Sequence, residues 1–185
     1  MPIHRLERYR KRVQLESLWD HAALNETKGK LQMPQESYHS VSAPQRILVA
    51  IDGSTLSFKA LDYSILLARL THGRITIVNV VIIPSFITSP EVTERLREEA
   101  SSAGGRLLEK ASQLVKDSGL DNVETSLIDT GSSIVKAIVD KASEIRADLI
   151  VIGTKGTTEG MPRLMLGSVA VGVVGLASCP VLAVR

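Results

Sequence analysis

The amino-acid sequence predicts an open, doubly wound α/β domain, in which helices cover both faces of a parallel sheet. From residue 46 onward, short apolar runs alternate with segments of helical periodicity. The runs are continuously apolar, as expected of parallel strands buried on both faces, and this alternation implies right-handed crossovers. Ligands of such folds bind beyond the carboxyl ends of the strands, so the loops after Ile51 and Ile152 are of first interest.

The first strand is predicted at residues 47–51 and the second at 75–83. Ser54 can cap the helix between them, because a serine oxygen accepts a free N–H of the first helical turn. Gly73 is the expected C-cap of that helix.

A long polar helix is predicted over about residues 91–118, followed by a third strand at 123–129. Gly104 and Gly105 interrupt the helical pattern, and each costs roughly 1 kcal/mol relative to alanine. The sequence therefore predicts a kink or break at this pair.

The remaining elements repeat the same alternation. Ser133, or the serine before it, opens a helix that leads to a fourth buried strand at 148–153. A loop rich in glycine and threonine then precedes a last helix near 168–177 and a fifth strand at 180–184.

The front of the chain has a different composition. Residues 1–45 hold 7 Lys/Arg and 5 Asp/Glu, whereas residues 46–185 hold 15 of each. Apolar positions at near-helical spacing predict a basic amphipathic helix, and residues 27–44 read as a linker, so a domain boundary is expected near Gln45. The helix either packs on its own domain or dimer partner, or lets residues 1–30 contact nucleic acid or an anionic membrane; the acidic residues favour the former.

Composition excludes several classes of function. A single cysteine, Cys179, rules out an intrachain disulfide framework, and no apolar run or secretory signal indicates membrane insertion or export, so a cytoplasmic protein is expected. The four histidines and Cys179 lack metal-ligand spacing, and nothing resembles a Ser/His/Asp arrangement. We therefore assign no catalytic or metal-binding residue.

The loop after the fourth strand has the features of a phosphate-binding site. Gly153, Gly156 and Gly167 let backbone N–H groups approach an anion, and Ser168 begins a helix whose N-terminus attracts negative charge. The pattern is neither a Walker A sequence nor GxGxxG. A glycine-rich connection without any ligand is the alternative.

These glycines, the preceding DLIVIG, the final CPVLAV and the opening ILVAIDGS resemble the ATP-binding branch of the universal stress protein family. The resemblance covers residues 46–185. It implies a Rossmann-like adenine-nucleotide-binding fold, with a five-stranded parallel sheet in the order 3-2-1-4-5. It also implies bound ATP, or AMP or ADP, with Mg²⁺ held through the phosphates.

The resemblance further implies a role for each matching residue. Asp52 would contact the adenosine, Val80 would flank adenine and Ile152 would line the same cleft. Ribose and phosphates would be held by Gly153, Gly156, Gly167, Ser168 and the amide of Val169. Two features leave alternatives open. Asp52 could simply cap the next helix, and the interval 157–166 is one residue longer than is usual in the family, which could displace Gly167 and Ser168.

The last strand is short and apolar, and as an edge strand it would expose unpaired backbone groups. Together with the resemblance, this predicts a homodimer through Val181–Val184.

The leading functional hypothesis is an ATP-binding regulatory switch or sensor in stress response, with an unknown protein partner. A slow Mg²⁺-dependent ATPase and a nucleotide-free dimeric interaction module are the alternatives.

Overall fold

The computed structural model describes residues 42–83, 89–131, 133–155 and 166–185. The amphipathic helix and most of the linker predicted for the front of the chain lie outside the described residues, in 1–41. None of the helices in the described ranges is long and apolar enough to cross a bilayer.

Strands and helices alternate along the described chain. They are β1 (Arg46–Ala50), α1 (Thr55–Thr71), β2 (Arg74–Ile82), α2 (Pro90–Asp117), β3 (Val123–Thr130), α3 (Ile134–Glu144), β4 (Leu149–Gly153), α4 (Ser168–Leu176) and β5 (Val181–Val184). Each strand pairs in parallel with its neighbours, in the order β3-β2-β1-β4-β5. The predicted doubly wound sheet and its strand order are therefore confirmed.

Helices cover both faces of the sheet. On β1, Ile47 and Val49 join a core with α1 and α2, whereas Leu48 on the opposite face joins a core with α3 and α4. All three side chains are fully buried. Two cores on one strand explain why its sequence is continuously apolar rather than alternating.

Serine side chains cap the first three helices of the described chain. The hydroxyl oxygens of Ser54, Ser89 and Ser133 accept N–H groups in the first turns of α1, α2 and α3, at 3.1, 3.4 and 3.3 Å. Each bond satisfies one of the donors that a helix start leaves without an intrahelical partner.

Asp148 joins the starts of β1 and β4, which are neighbours in the sheet. Its Oδ1 accepts the backbone N–H groups of Gln45 and Arg46, at 3.0 and 2.9 Å, and its own N–H donates to the Arg46 carbonyl. These bonds fix the register of β1 against β4, and so the relative height of their carboxyl ends.

The C-cap prediction for α1 is wrong by one residue. His72, not Gly73, is the C-cap and adopts the left-handed conformation, with φ of 54°. Gly73 instead lies in a tight contact, since a Cβ there would be 3.1 Å from the carbonyl oxygens of both Pro44 and Gln45. Close approach of the backbone, rather than an unusual φ, explains the glycine.

The predicted break in α2 is also wrong, because a single helix runs through Gly104 and Gly105. Gly104 is buried against the sheet, and a Cβ on it would lie 2.5 Å from Asn79 Oδ1 and 2.6 Å from Leu127 Cδ1. Packing against β2 and β3 outweighs the low helix propensity of glycine, which is a weak local preference.

The glycines of α4 provide a test of the packing between helices. A Cβ on Gly172 would lie 2.7 Å from Val135 Cγ2 of α3, whereas a Cβ on Gly175 would meet nothing within 4 Å. Valine is stiff at χ1 and cannot swing away. We expect Gly172→Ala to lower the free energy of unfolding by about 1–3 kcal/mol, measured by urea denaturation.

Gly175→Ala is the matched control on the same helix. It adds the same methyl group in open space, so it should raise the free energy of unfolding by about 0.5–1 kcal/mol. Equal effects of the two substitutions would contradict the packing assigned to Gly172.

Candidate functional site

A cleft opens at the carboxyl edge of the sheet, between the ends of β1 and β4. Its volume is about 490 Å³, which is within the usual range for small-molecule sites. Backbone and side chains from β1, β2, β4 and three helices line it. The lining residues are Ala50, Ile51, Asp52, Ser57, Val78, Val80, Ile134, Ile138, Ile152, Gly153, Thr154, Lys155, Gly167, Ser168, Val169 and Ala170.

The chain leaves β1 through a tight turn at the cleft rim. Gly53 has φ of +86°, a conformation that favours glycine. Asp52 Oδ1 accepts the N–H of Ser54 at 3.0 Å, and Ser54 is the residue that caps α1. Asp52 is therefore not the cap of this helix. Its exposed carboxylate lies at the rim of the cleft.

Gly153, at the end of β4, is pressed against the first turn of α1. A Cβ there would lie 2.9 Å from the carbonyl carbon of Leu56 and 3.0 Å from the nitrogen of Ser57. Backbone atoms cannot give way as a flexible side chain can, so only glycine fits. The Ser54 hydroxyl adds a long contact of 3.5 Å to the Lys155 carbonyl. This close approach sets the width of the cleft floor.

The N-terminus of α4 forms one wall of the cleft. Its N-cap is Gly167, which has no side chain to accept a helix N–H, in contrast to the serine caps of α1, α2 and α3. The first helical bond runs from Val171 N–H to the Gly167 carbonyl, at 3.0 Å. The N–H groups of Ser168, Val169 and Ala170 therefore have no intrahelical acceptor, and the helix dipole makes this wall electropositive.

The first turn of α4 is held firmly to the end of the sheet. Gly167 N–H donates to the Thr154 carbonyl at 2.7 Å, and Thr154 N–H donates to the Val184 carbonyl at 2.8 Å. Thr154 is buried, with 3% of its surface exposed. A chain of backbone bonds thus connects β5, the loop after β4 and the electropositive wall.

An apolar slot lies beside the electropositive wall. Val78 and Val80 from β2 and Ile152 from β4 contribute to it, together with Ile134 and Ile138 from α3. An aliphatic slot next to a row of backbone donors accommodates a ligand with a flat apolar part and an anionic part.

Seven of the eight residues that the sequence singled out line this one cleft: Asp52, Val80, Ile152, Gly153, Gly167, Ser168 and Val169. The eighth, Gly156, lies outside the described residues, as does nearly all of the longer interval that precedes Gly167. Sequence reasoning missed Ser57, Thr154 and the two α3 isoleucines. The isoleucines follow a regular helical stripe, which marks a buried face but does not tell which buried residues reach a cleft.

Within the described ranges, neither the histidine His72 nor the cysteine Cys179 lines the cleft. His72 is at the amino edge of the sheet, and the remaining histidines, His4, His21 and His39, lie outside the described residues. Partial burial, and secondarily the charge of Asp148, raise the pKa of the Cys179 thiol, which opposes thiolate formation. Within the described ranges, no group of three or more His, Cys, Asp or Glu residues could hold a metal ion.

Comparison with known sequences gives a consistent family match. Residues 44–185 match the model of the universal stress protein family. Universal stress protein YxiE of Bacillus subtilis is 35% identical over 149 residues, which cover 76% of this chain and 98% of that protein.

Solved structures with the same fold include relatives with bound nucleotides. Universal stress protein UspA from Lactobacillus plantarum has a TM-score of 0.68 and 27% identity, over 76% of this chain and 97% of its own. A universal stress protein in complex with cAMP has a TM-score of 0.60 and 29% identity, over 78% and 99% of the two chains. One from Archaeoglobus fulgidus in complex with dAMP has a TM-score of 0.54 and 26% identity, over 76% and 98%.

Proposed function

Because the chain belongs to the universal stress protein family, we propose that it binds an adenine nucleotide in the cleft between β1 and β4 and acts as a nucleotide-dependent regulatory switch. The observation that best supports nucleotide binding is the N-terminus of α4, which has no side-chain cap and adjoins an apolar slot in the same cleft. A nucleotide has the matching halves, an anionic phosphate chain and a flat base. Relatives bind cAMP and dAMP, which share the adenine base and a phosphate.

The arrangement of the cleft suggests how the nucleotide lies. Adenine occupies the apolar slot beside Val80 and Ile152, and the Asp52 carboxylate at the rim reaches the adenosine part. The phosphates lie against the first turn of α4, where the N–H groups of Ser168 and Val169 meet them. Gly153 and Gly167 complete the backbone surface around ribose and phosphates, and the family resemblance assigns Gly156, which lies outside the described residues, to the same role. Bound ATP would carry Mg²⁺ on its phosphate oxygens.

Regulation fits the cleft better than rapid catalysis does. Among its described lining residues, Asp52 is the sole carboxylate and Lys155 the sole cation, and none is a histidine. A fast hydrolase needs a general base placed beside the attacking water. We infer that the nucleotide is retained, and that its presence alters the surface around residues 153–167 that a protein partner reads.

We also propose that two copies pair through β5. Within the described sheet, β5 is an edge strand bonded to β4 alone. Pro180 and Val184 carbonyls accept bonds from the β4 side, so the groups of Val181 and Ala183 lie on the free edge. The neighbouring α4 exposes Val171, Val174 and Leu176 to at least half of their surface, and a second copy would cover them.

The first prediction for this function concerns Ser168. Ser168→Asp puts a negative charge where the phosphates lie, so ATP–Mg²⁺ affinity should fall about tenfold or more. The same charge favours a helix N-terminus, so the free energy of unfolding should stay equal or rise by about 0.3–1 kcal/mol. Calorimetric titration and urea denaturation measure the two effects.

Val92→Asp is the matched control, since Val92 lies in the first turn of α2 and is not among the residues that line the cleft. It should leave ATP affinity unchanged. If Ser168→Asp binds ATP as well as the unmodified protein does, phosphates do not lie against α4.

The second prediction concerns the dimer. Ala183→Pro removes a donor from the free edge of β5 while keeping the bonds of that strand to β4, because proline is tolerated at an edge position whose N–H faces outward. Light scattering after size-exclusion chromatography should give the mass of two chains for the unmodified protein and for Ala183→Ser, and the mass of one chain for Ala183→Pro. A dimer that persists in Ala183→Pro would contradict the proposed pairing through β5.

A further inference from the structure

The backbone ladder between β1 and β2 stops one bond early, beside the cleft. Just before β1, the Gln45 carbonyl accepts the Arg74 N–H at 2.9 Å, and six residues later, just after β1, the Ile51 N–H donates to the Val78 carbonyl at 2.8 Å. In a parallel ladder the next bond would run from Val80 N–H to the Ile51 carbonyl. Among the described residues, that carbonyl instead accepts Nδ2 of the Asn79 side chain, at 2.8 Å.

The early end of this ladder determines which way the backbone groups of Val80 face. Alternate residues of β2 direct their backbone groups toward β1, and Val80 belongs to the same set as Arg74 and Val78. The pairing of β1 with β2 ends at Ala50 and Val78, and the chain turns at Gly53, so Val80 lies beyond the last paired residues. The backbone N–H and C=O of Val80 therefore face the cleft that Val80 lines.

Asn79 is held in place from above by α2. Asn79 is 9% exposed, and Gly104 lies directly over its side chain, so that a Cβ at position 104 would be 2.5 Å from Asn79 Oδ1. The neighbouring Gly105 has open space at its Cβ position. A buried amide with a satisfied donor is costly to displace, so the Asn79 side chain keeps its bond to Ile51.

We propose that Asn79 is a positioning residue for the base of the bound nucleotide, and that Gly104 is required to seat it. By occupying the Ile51 carbonyl, the Asn79 amide keeps the ladder from closing and leaves the Val80 backbone N–H available to the base. This inference rests on the proposed function, because it needs a nucleotide in the cleft. It concerns only the base, not the phosphates.

Comparison of ATP with inorganic tripolyphosphate, which has no base, separates the contribution of the base to affinity from that of the phosphates. In Asn79→Leu the side chain keeps a similar shape but cannot donate, and Val80 N–H can bond to Ile51. We expect ATP affinity to fall about tenfold, as for the loss of one hydrogen bond to the base, while tripolyphosphate affinity stays within about twofold. Hydrogen exchange of the Val80 amide in the nucleotide-free protein should also slow in the variant.

Gly104→Ala and Gly105→Ala give an independent pair of variants. Gly104→Ala forces the Asn79 amide aside and should reduce ATP affinity selectively, whereas Gly105→Ala should change neither affinity.

Equal losses for ATP and tripolyphosphate in Asn79→Leu, or no loss at all, would overturn the positioning role. Failure of the unmodified protein to bind either ligand would overturn the proposed function itself, before any variant is compared.

Discussion

The candidate site depends on one topological constraint, which is that β1 and β4 are neighbours in the sheet while the helices that follow them lie on opposite faces. From β1 the chain passes to α1, which packs with α2, and from β4 it passes to α4, which packs with α3. Two connections that diverge from adjacent strand ends cannot fill the space between them. The cleft is therefore a property of strand order.

Within that cleft, much of the polar surface is backbone. The end of β4 contributes Gly153 and the start of α4 contributes Gly167, and at both positions a Cβ would crowd neighbouring backbone, at 2.9 and 3.3 Å. Donors of this kind are fixed by the fold and need no side-chain ordering to bind an anion. Side chains such as Val80 and Ile152 then shape the apolar slot.

The sequence was sufficient to predict the order and nature of the elements, because two buried faces leave continuous apolar runs such as residues 47–51. It also placed the ends of β1 and β4 in one site, from the fold class and the family resemblance. It could not predict that Gly104 lies against Asn79, since contacts between α2 and β2 leave no local periodic pattern. For the same reason, the low helix propensity of Gly104 and Gly105 led to the prediction of a break that is absent from the packed helix. The reach of Ile134 and Ile138 into the cleft depends on how α3 lies on the sheet, which periodicity does not encode.

Backbone amide spectra of nitrogen-15-labelled protein, titrated with ATP–Mg²⁺, test the central claim most directly because they report on every region of the fold at once. The account predicts saturable shifts that are largest at Val80, Gly153, Ser168 and Val169, on β2, β4 and α4. It would be contradicted by the absence of saturable shifts, or by shifts centred on another surface, such as the amino edge of the sheet around Arg46 and Arg74.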